Sequence, residues 1–421
     1  MLCARNWAAF TNRSLRKTRG NFLNIDSKIK MVSSSQRLGA LSIAGLFFIL
    51  PFSDITTLKE IFLITGILSF LSIKFLHSDM KAAPSSNRQL NILIIVYFIW
   101  GFIALMSAID PSYSFDELAF KMSRQYLLYF LSFSFASMFC ADIEKIKKLL
   151  LPVALATIIM SLYACFQFYQ SPVFMQNRVT GFTGAFYRLA VFLILSVPLI
   201  LTLAYTTSSR LKWALLMVLP FACAALVFTS VRAAWIALFI ETVILFFIFF
   251  KTYRKTFVLG ITAISLIFIA LAYHSEYKNL VIHGTERPRL KAFDLSLEIV
   301  RTHPLTGIGY GKKTFSKYYP DLYEVRHAHN LFVNTAVELG SIGLIIFISM
   351  LVIIAKDFIK AIKRETVLDR RLILSGIFAS LTGFLTLNLF DYMYHGWPGQ
   401  MFWMLIGIGY ALIKPYAETS N

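Results

Sequence analysis

Charge is what this chain has least of. Asp, Glu, Lys and Arg together make up 15% of its 421 residues, against 57% hydrophobic. A soluble domain usually carries about 25% charge, so a water-facing globule is excluded and a polytopic membrane protein fits. Cysteine is nearly absent. Cys3 lies in a basic leader, and Cys140, Cys165 and Cys223 lie in or beside apolar runs. That scatter excludes a disulfide framework or a cysteine metal cluster and leaves small packing residues. No cleavable signal-peptide pattern and no internal repeat is present. The stretch "GIGYGKKT" (307–314) is not a nucleotide-binding loop, because Lys312 stands where GxxxxGK[ST] needs glycine. It reads as a turn-rich connection.

What is present is a series of apolar runs. A bilayer core of about 30 Å takes roughly 20 apolar residues per helix, and only helices or closed barrels satisfy their backbone in lipid. About twelve runs qualify as spans: 38–53, 59–76, 90–109, 125–140, 149–169, 187–206, 212–229, 233–250, 256–273, 331–355, 372–390 and 400–413. The expected fold is therefore all-α and polytopic. It comprises a basic cytoplasmic tail (1–37), nine spans over 38–273, a long outer loop at 274–330, three spans over 331–414 and a short tail at 415–421.

The net charge of +19 would suggest nucleic acid if its placement were ignored. With the N-terminus inside, 26 of the 41 Lys and Arg residues fall on cytoplasmic segments, "KTYRK" (251–255) and "KAIKRETVLDRR" (360–371) among them. This is the positive-inside bias, and it puts both termini in the cytosol. Fifteen basic residues break the bias. Nine of them, with six acids, lie in the loop 274–330, and six of the seven histidines are also outside. A protein that gathers these exceptions on one face is expected to handle an anion there.

Three places sharpen that expectation. In "TSVRAAWIAL" (229–238), Arg232 sits at the outer start of a span that Thr229 or Ser230 can cap. Its charge and the free N–H groups of the helix start suit a phosphate. In "RPRLKAFDLSLEIVRTHP" (287–304), Leu290, Phe293, Leu297 and Val300 recur at helical spacing, which predicts an amphipathic helix lying on the outer membrane surface, with Arg289 near its start. In "VRHAHNLFVN" (325–334), Asn330, Asn334 and Glu338 fall at i, i+4 and i+8. That polar stripe should line a wet cavity, with His329 at its mouth as a proton acceptor. Glu241, deep in the eighth span, has no assigned role.

In order along the chain, "TSVRAAW", "RPRLKAF", "THPLTGIGYG" and "HAHNLFVNTAVELGSIGL" resemble the O-antigen ligase and polymerase superfamily of bacterial inner-membrane glycosyltransferases, over roughly 38–413. The resemblance implies a GT-C-like fold and an undecaprenyl-diphosphate-linked glycan as donor. The acceptor would be the lipid A-core, and chemistry would take place on the periplasmic face. It matches Arg232 and Arg289 to the arginines that hold the diphosphate and His329 to the base. His327 is a second candidate base, Asn330 and Asn334 support the site, and Lys121 or Arg124 is the match to a further basic residue of the family. No cofactor is implied. No Asp-x-Asp pair lies in an outer loop, so metal-independent, inverting transfer is expected. Ligase is favoured over polymerase; a protein O-oligosaccharyltransferase or a transporter or flippase are further alternatives.

Overall fold

Each expected apolar run that falls among the described residues folds as a helix. The computed structural model describes residues 22–76, 87–139, 142–171, 178–249, 286–320 and 327–413. The expected ninth span (256–273) and the first part of the long loop (274–285) lie outside them. Among the described residues there is no strand.

The helices are α1 (Phe22–Ile49), α2 (Thr56–Leu76), α3 (Arg88–Ala104), α4 (Pro111–Asp116), α5 (Ser123–Met138), α6 (Ile143–Gln170), α7 (Phe186–Tyr205), α8 (Ser209–Phe228), α9 (Arg232–Phe249), α10 (Glu286–Thr302), α11 (Thr314–Tyr318), α12 (Leu331–Arg364), α13 (Leu368–Leu387) and α14 (Trp397–Ile413). Seven are long and apolar enough to cross a membrane: α1 from Lys30, α3 extended to Ser107, α6, α7, α8 from Arg210, α12 and α13. The sequence suggested about twelve spans. Helices α2, α5, α9 and α14 make up the shortfall among the described residues, and α9 has only 18 residues. Helices α5 and α14 have 16 and 17 residues, about 24–26 Å at 1.5 Å per residue, and α2 carries Lys59, Glu60 and Lys74. The chain is a multi-pass membrane protein. Helix α1 begins at Phe22 rather than 38, and no proline or glycine intervenes to stop it.

Side-chain caps set several helix starts. Asn87 accepts from Gln89 and Leu90 N, Asp142 from Glu144 N, and Asn330 from Phe332 and Val333 N at 2.9 and 3.1 Å. Helix α14 lies along α5, α1 along α2, and α13 between α7 and α9, while α12 packs on α3 and carries α10 across it.

Backbone bonds tie one end of the bundle together. Ser53 N donates to Phe182 O, Val179 N to Phe228 O, Ile109 N to Ile308 O, Ile308 N to Val337 O, and Leu331 N to Asn388 O. At the opposite end, buried Lys147 joins Glu144, Asp369 and Thr206 O.

The long helix α12 is broken at Gly340, whose φ is +69° and ψ −175°. The break detaches backbone groups, and each of those that follow finds a partner. Ser341 N donates to Pro304 O (2.8 Å), Val337 O accepts from Ile308 N (2.9 Å) and Glu338 O from Gly309 N (3.1 Å). Leu339 O accepts from the indole of Trp100 at 2.8 Å. The segment "HPLTGIGYG" (303–311), which overlaps the predicted turn-rich connection at 307–314, therefore serves as the hydrogen-bond partner of a broken helix. A Cβ on Gly340 would lie 2.0 Å from Leu305 O, so Gly340→Ala combines a clash with left-handed strain. We expect it to destabilise the protein by about 1–3 kcal/mol or more, read as a lower unfolding temperature in detergent. An unchanged midpoint would show that the break is not required.

Candidate active site

Two non-glycine residues among those described adopt left-handed backbone: Ser230 (φ 54°) and His329 (φ 51°). Such conformations are unfavourable for L-residues by about 1–2 kcal/mol, and both fall beside the residues the sequence singled out.

Ser230 turns the chain between α8 and α9. Thr229 Oγ1 accepts from Val231 N at 3.4 Å, and Arg232 is the first residue of α9, exposed, with the helix-start amides around it. The neighbours of α9 fix its height in the bundle. Arg371 on α13 donates to Ile248 O near the lower end of α9. Glu241 is buried against Gly383, where an added Cβ would meet its carboxylate. Glu241 makes no hydrogen bond among the described residues. The two helices therefore run antiparallel. The nine residues from Glu241 back to Arg232, about 13 Å, reach past the end of α13 to the segment that follows Asn388.

That segment carries Asp391, which faces His329 across the site. His329 Nδ1 lies 3.4 Å from Asp391 Oδ1. Burial raises the Asp391 carboxyl, but His329, His327 and the amide of Tyr392 outweigh it and hold it below the usual carboxylate range. Asn330 caps α12 and donates to Leu389 O at 2.9 Å, so the histidine segment and the Asp391 segment are tied to each other. Asn334 Oδ1 accepts from Ala328 N (3.1 Å) and its amide donates to Glu338 (2.9 Å). Glu338 also accepts from Tyr392 OH and contacts His395 Nε2 at 3.1 Å. The expected polar stripe exists, but a buried network fills it.

The ambiguity between the two histidines narrows here. His327 accepts from His329 N through Nδ1 at 3.2 Å. Burial, and then the neighbouring His329, pull its pKa down to about 3. An imidazole with so acidic a conjugate acid is a weak base at neutral pH, whereas His329 is half-exposed and has a carboxylate behind it.

The arginines gather as well. Arg178 leads into the 3₁₀ turn Gly181–Thr183, stacks over the Phe186 ring at 4.6 Å, and is followed by Val179, which is bonded to Phe228 O. Its guanidinium is pushed down by burial and by the charges of Arg232 and Arg289, so the three cations share one region. Among the described residues none of the three enters an ion pair, in contrast to Arg124, which grips Glu60 through two bonds of 2.7 and 2.8 Å, and Lys121, which pairs with Glu117. Arg289 lies near the start of α10. That helix buries Ala292, Ser296 and Ile299 and exposes Leu290, Phe293 and Leu297, as a helix lying on a membrane surface requires.

The comparison with known families follows this geometry. Residues 215–348 match the O-antigen ligase family. No curated protein matches the chain significantly. The O-antigen ligase match supports placing this protein in the O-antigen ligase and polymerase superfamily, with membrane glycosyl transfer as its activity. The matched segment holds Arg232, Arg289, His327, His329 and the Gly340 break; Arg178 and Asp391 lie outside it. The sequence reading missed both. Arg178 was one of the fifteen basic residues outside, and Asp391 stands alone in the aromatic turn "FDYMYHGW".

The burial of neutral His327 has a pH signature. The unfolded chain takes up a proton on it near pH 6.5, while the folded chain resists until about 3. Folding stability therefore falls as pH drops from about 6.5 to about 3. The lowered Asp391 acts in the same direction at lower pH. We expect His327→Gln to flatten the fall in unfolding temperature over that range; parallel pH curves for variant and wild type would assign the effect elsewhere.

Proposed function

We propose that this protein is a metal-independent, inverting glycosyltransferase of the ligase type. It takes a glycan polymer from undecaprenyl diphosphate and joins it to a lipid A-core acceptor at the periplasmic face of the inner membrane. The observation that carries the reading is the gathering of Arg178, Arg232 and Arg289, none in an ion pair among the described residues, at the same end of the bundle as the His329–Asp391 pair. Three cations in one region, without an ion pair among the described residues, call for an anion of more than one charge, and a sugar diphosphate supplies it.

The chemistry follows from these groups. With its Nδ1 proton facing Asp391 across 3.4 Å, a contact that tightens when the substrates bind, His329 presents the Nε2 lone pair. That nitrogen takes the proton of the acceptor hydroxyl as its oxygen attacks the anomeric carbon. The bond from that carbon to the diphosphate breaks, its electron pair goes to the departing oxygen, and the three guanidiniums stabilise the charge that develops there. One displacement inverts the anomeric centre. Asp391 is a positioning residue that fixes the imidazole tautomer, and Asn330 and Asn334 hold the backbone on which His329 turns.

Deleting the gene and resolving the host's lipopolysaccharide on a gel separates ligase from polymerase. Loss of the ligase leaves long polymer on its lipid carrier and bare core. Core bearing a single repeat unit would mark a polymerase, and an unchanged ladder would refute both. In a transfer assay with purified protein, His329→Ala is expected to lower the rate roughly 10²–10⁴-fold. Arg178→Ala, Arg232→Ala and Arg289→Ala should each lower it by about 10²–10³. A fully active Arg178→Ala would remove that residue from the site.

A further inference from the structure

We propose that His327, His329 and Asp391 form a binding site for a zinc ion, and that zinc bound there inhibits the enzyme. One ligand atom from each of the three residues lies within 4.8 Å of the other two. The His329 Nδ1 to Asp391 Oδ1 separation of 3.4 Å exceeds an ordinary N–H···O hydrogen bond of about 2.7–3.2 Å, and Nδ1 makes no hydrogen bond of regular geometry. Two ligands at zinc–ligand distances of about 2.0–2.1 Å sit roughly 3.3–3.4 Å apart along a tetrahedral edge. The pair is thus spaced as two ligands of one ion.

The third ligand is built in. The two imidazole rings lie 4.2 Å apart, centre to centre, because the left-handed backbone at His329 turns both toward the same side. His327 Nδ1 is occupied by His329 N, which leaves Nε2 as its donor and orients the ring from behind, as outer partners of metal-bound histidines do. Asp391 Oδ1 accepts from Tyr392 N at 2.8 Å, and Ala328 is fastened to Asn334. Two imidazoles and a carboxylate suit zinc better than magnesium or calcium, and three protein ligands leave a fourth position for water.

Inhibition follows from the two nitrogens of His329 and rests on its assignment above as the base. With the proton on Nδ1, Nε2 holds the lone pair that accepts the acceptor's proton. A metal at Nδ1 takes that lone-pair position, so the one proton of the neutral ring moves to Nε2. The ring stays neutral, and its basic site is gone. Zinc also neutralises Asp391 and adds a second positive centre beside the arginines.

The test uses the full chain in detergent, stripped with EDTA. Cobalt titration should give the intense visible bands of a tetrahedral site at one ion per chain, displaced by zinc. Asp391→Asn and His327→Ala, shown to be folded by their unfolding temperatures, should lose at least about tenfold in affinity, the effect of removing even an outer partner of a ligand. X-ray absorption of zinc-loaded wild type should show two imidazoles at about 2.0 Å, a readout that needs no variant. Micromolar zinc should slow glycan transfer at least about tenfold, with recovery on chelation. Wild type that binds no more cobalt than the variants, a zinc shell without two imidazoles, or transfer unchanged or accelerated by zinc would each overturn the proposal. Metal binding without any transfer activity in metal-free protein would instead count against the functional assignment and leave the site standing.

Discussion

The break in α12 at Gly340 is the constraint on which the rest of this end of the molecule depends. A helix interrupted inside a membrane protein exposes backbone groups that lipid cannot satisfy. Here the segment 304–309 and Trp100 take them up. The same bonds fix the loop after α10 to the helix that bears Asn334 and Glu338, and through Ile109 they fix α3 as well. Glu338, two residues before the break, is buried and meets Tyr392 and His395. One glycine with positive φ therefore sets the relation between the histidine segment, the Asp391 segment and the amphipathic helix.

Charge placement explains the division of labour around that break. Several charges elsewhere are paired: Arg124 with Glu60, Lys317 with Asp110, Lys147 with Glu144 and Asp369. Arg178, Arg232 and Arg289 are gathered without a partner among the described residues, and the carboxylate nearest the proposed chemistry is turned to a histidine. Mutual repulsion of three cations is unfavourable. On the proposed function a diphosphate relieves it, so the repulsion favours that ligand over a neutral headgroup. The left-handed turns at Ser230 and His329 belong to the same pattern, with local strain stored where the side chains must converge.

Hydrophobic periodicity was legible in the sequence. The apolar runs among the described residues became helices, though α1 starts at Phe22 instead of 38, and 287–304 matches the amphipathic helix Glu286–Thr302. Run length and composition carry these features directly. The polar stripe Asn330, Asn334, Glu338 was also visible, but its role was not: a wet cavity wall and a hydrogen-bonded network have the same i, i+4, i+8 pattern. Only the partners distinguish them, and Tyr392 and His395 come from more than fifty residues downstream.

By itself, the sequence determined a bundle of apolar helices, an asymmetric placement of charge along them, and a chain-ordered set of motifs pointing to Arg232, Arg289 and His329. Those follow from local hydrophobicity and from the electrostatics of crossing a bilayer, which act residue by residue. The tertiary structure alone decided that His327 is buried and its pKa lowered, that Asp391 lies beside His329, and that Arg178 joins the other two arginines. Burial and through-space charge settle such questions, and both depend on what distant segments bring together.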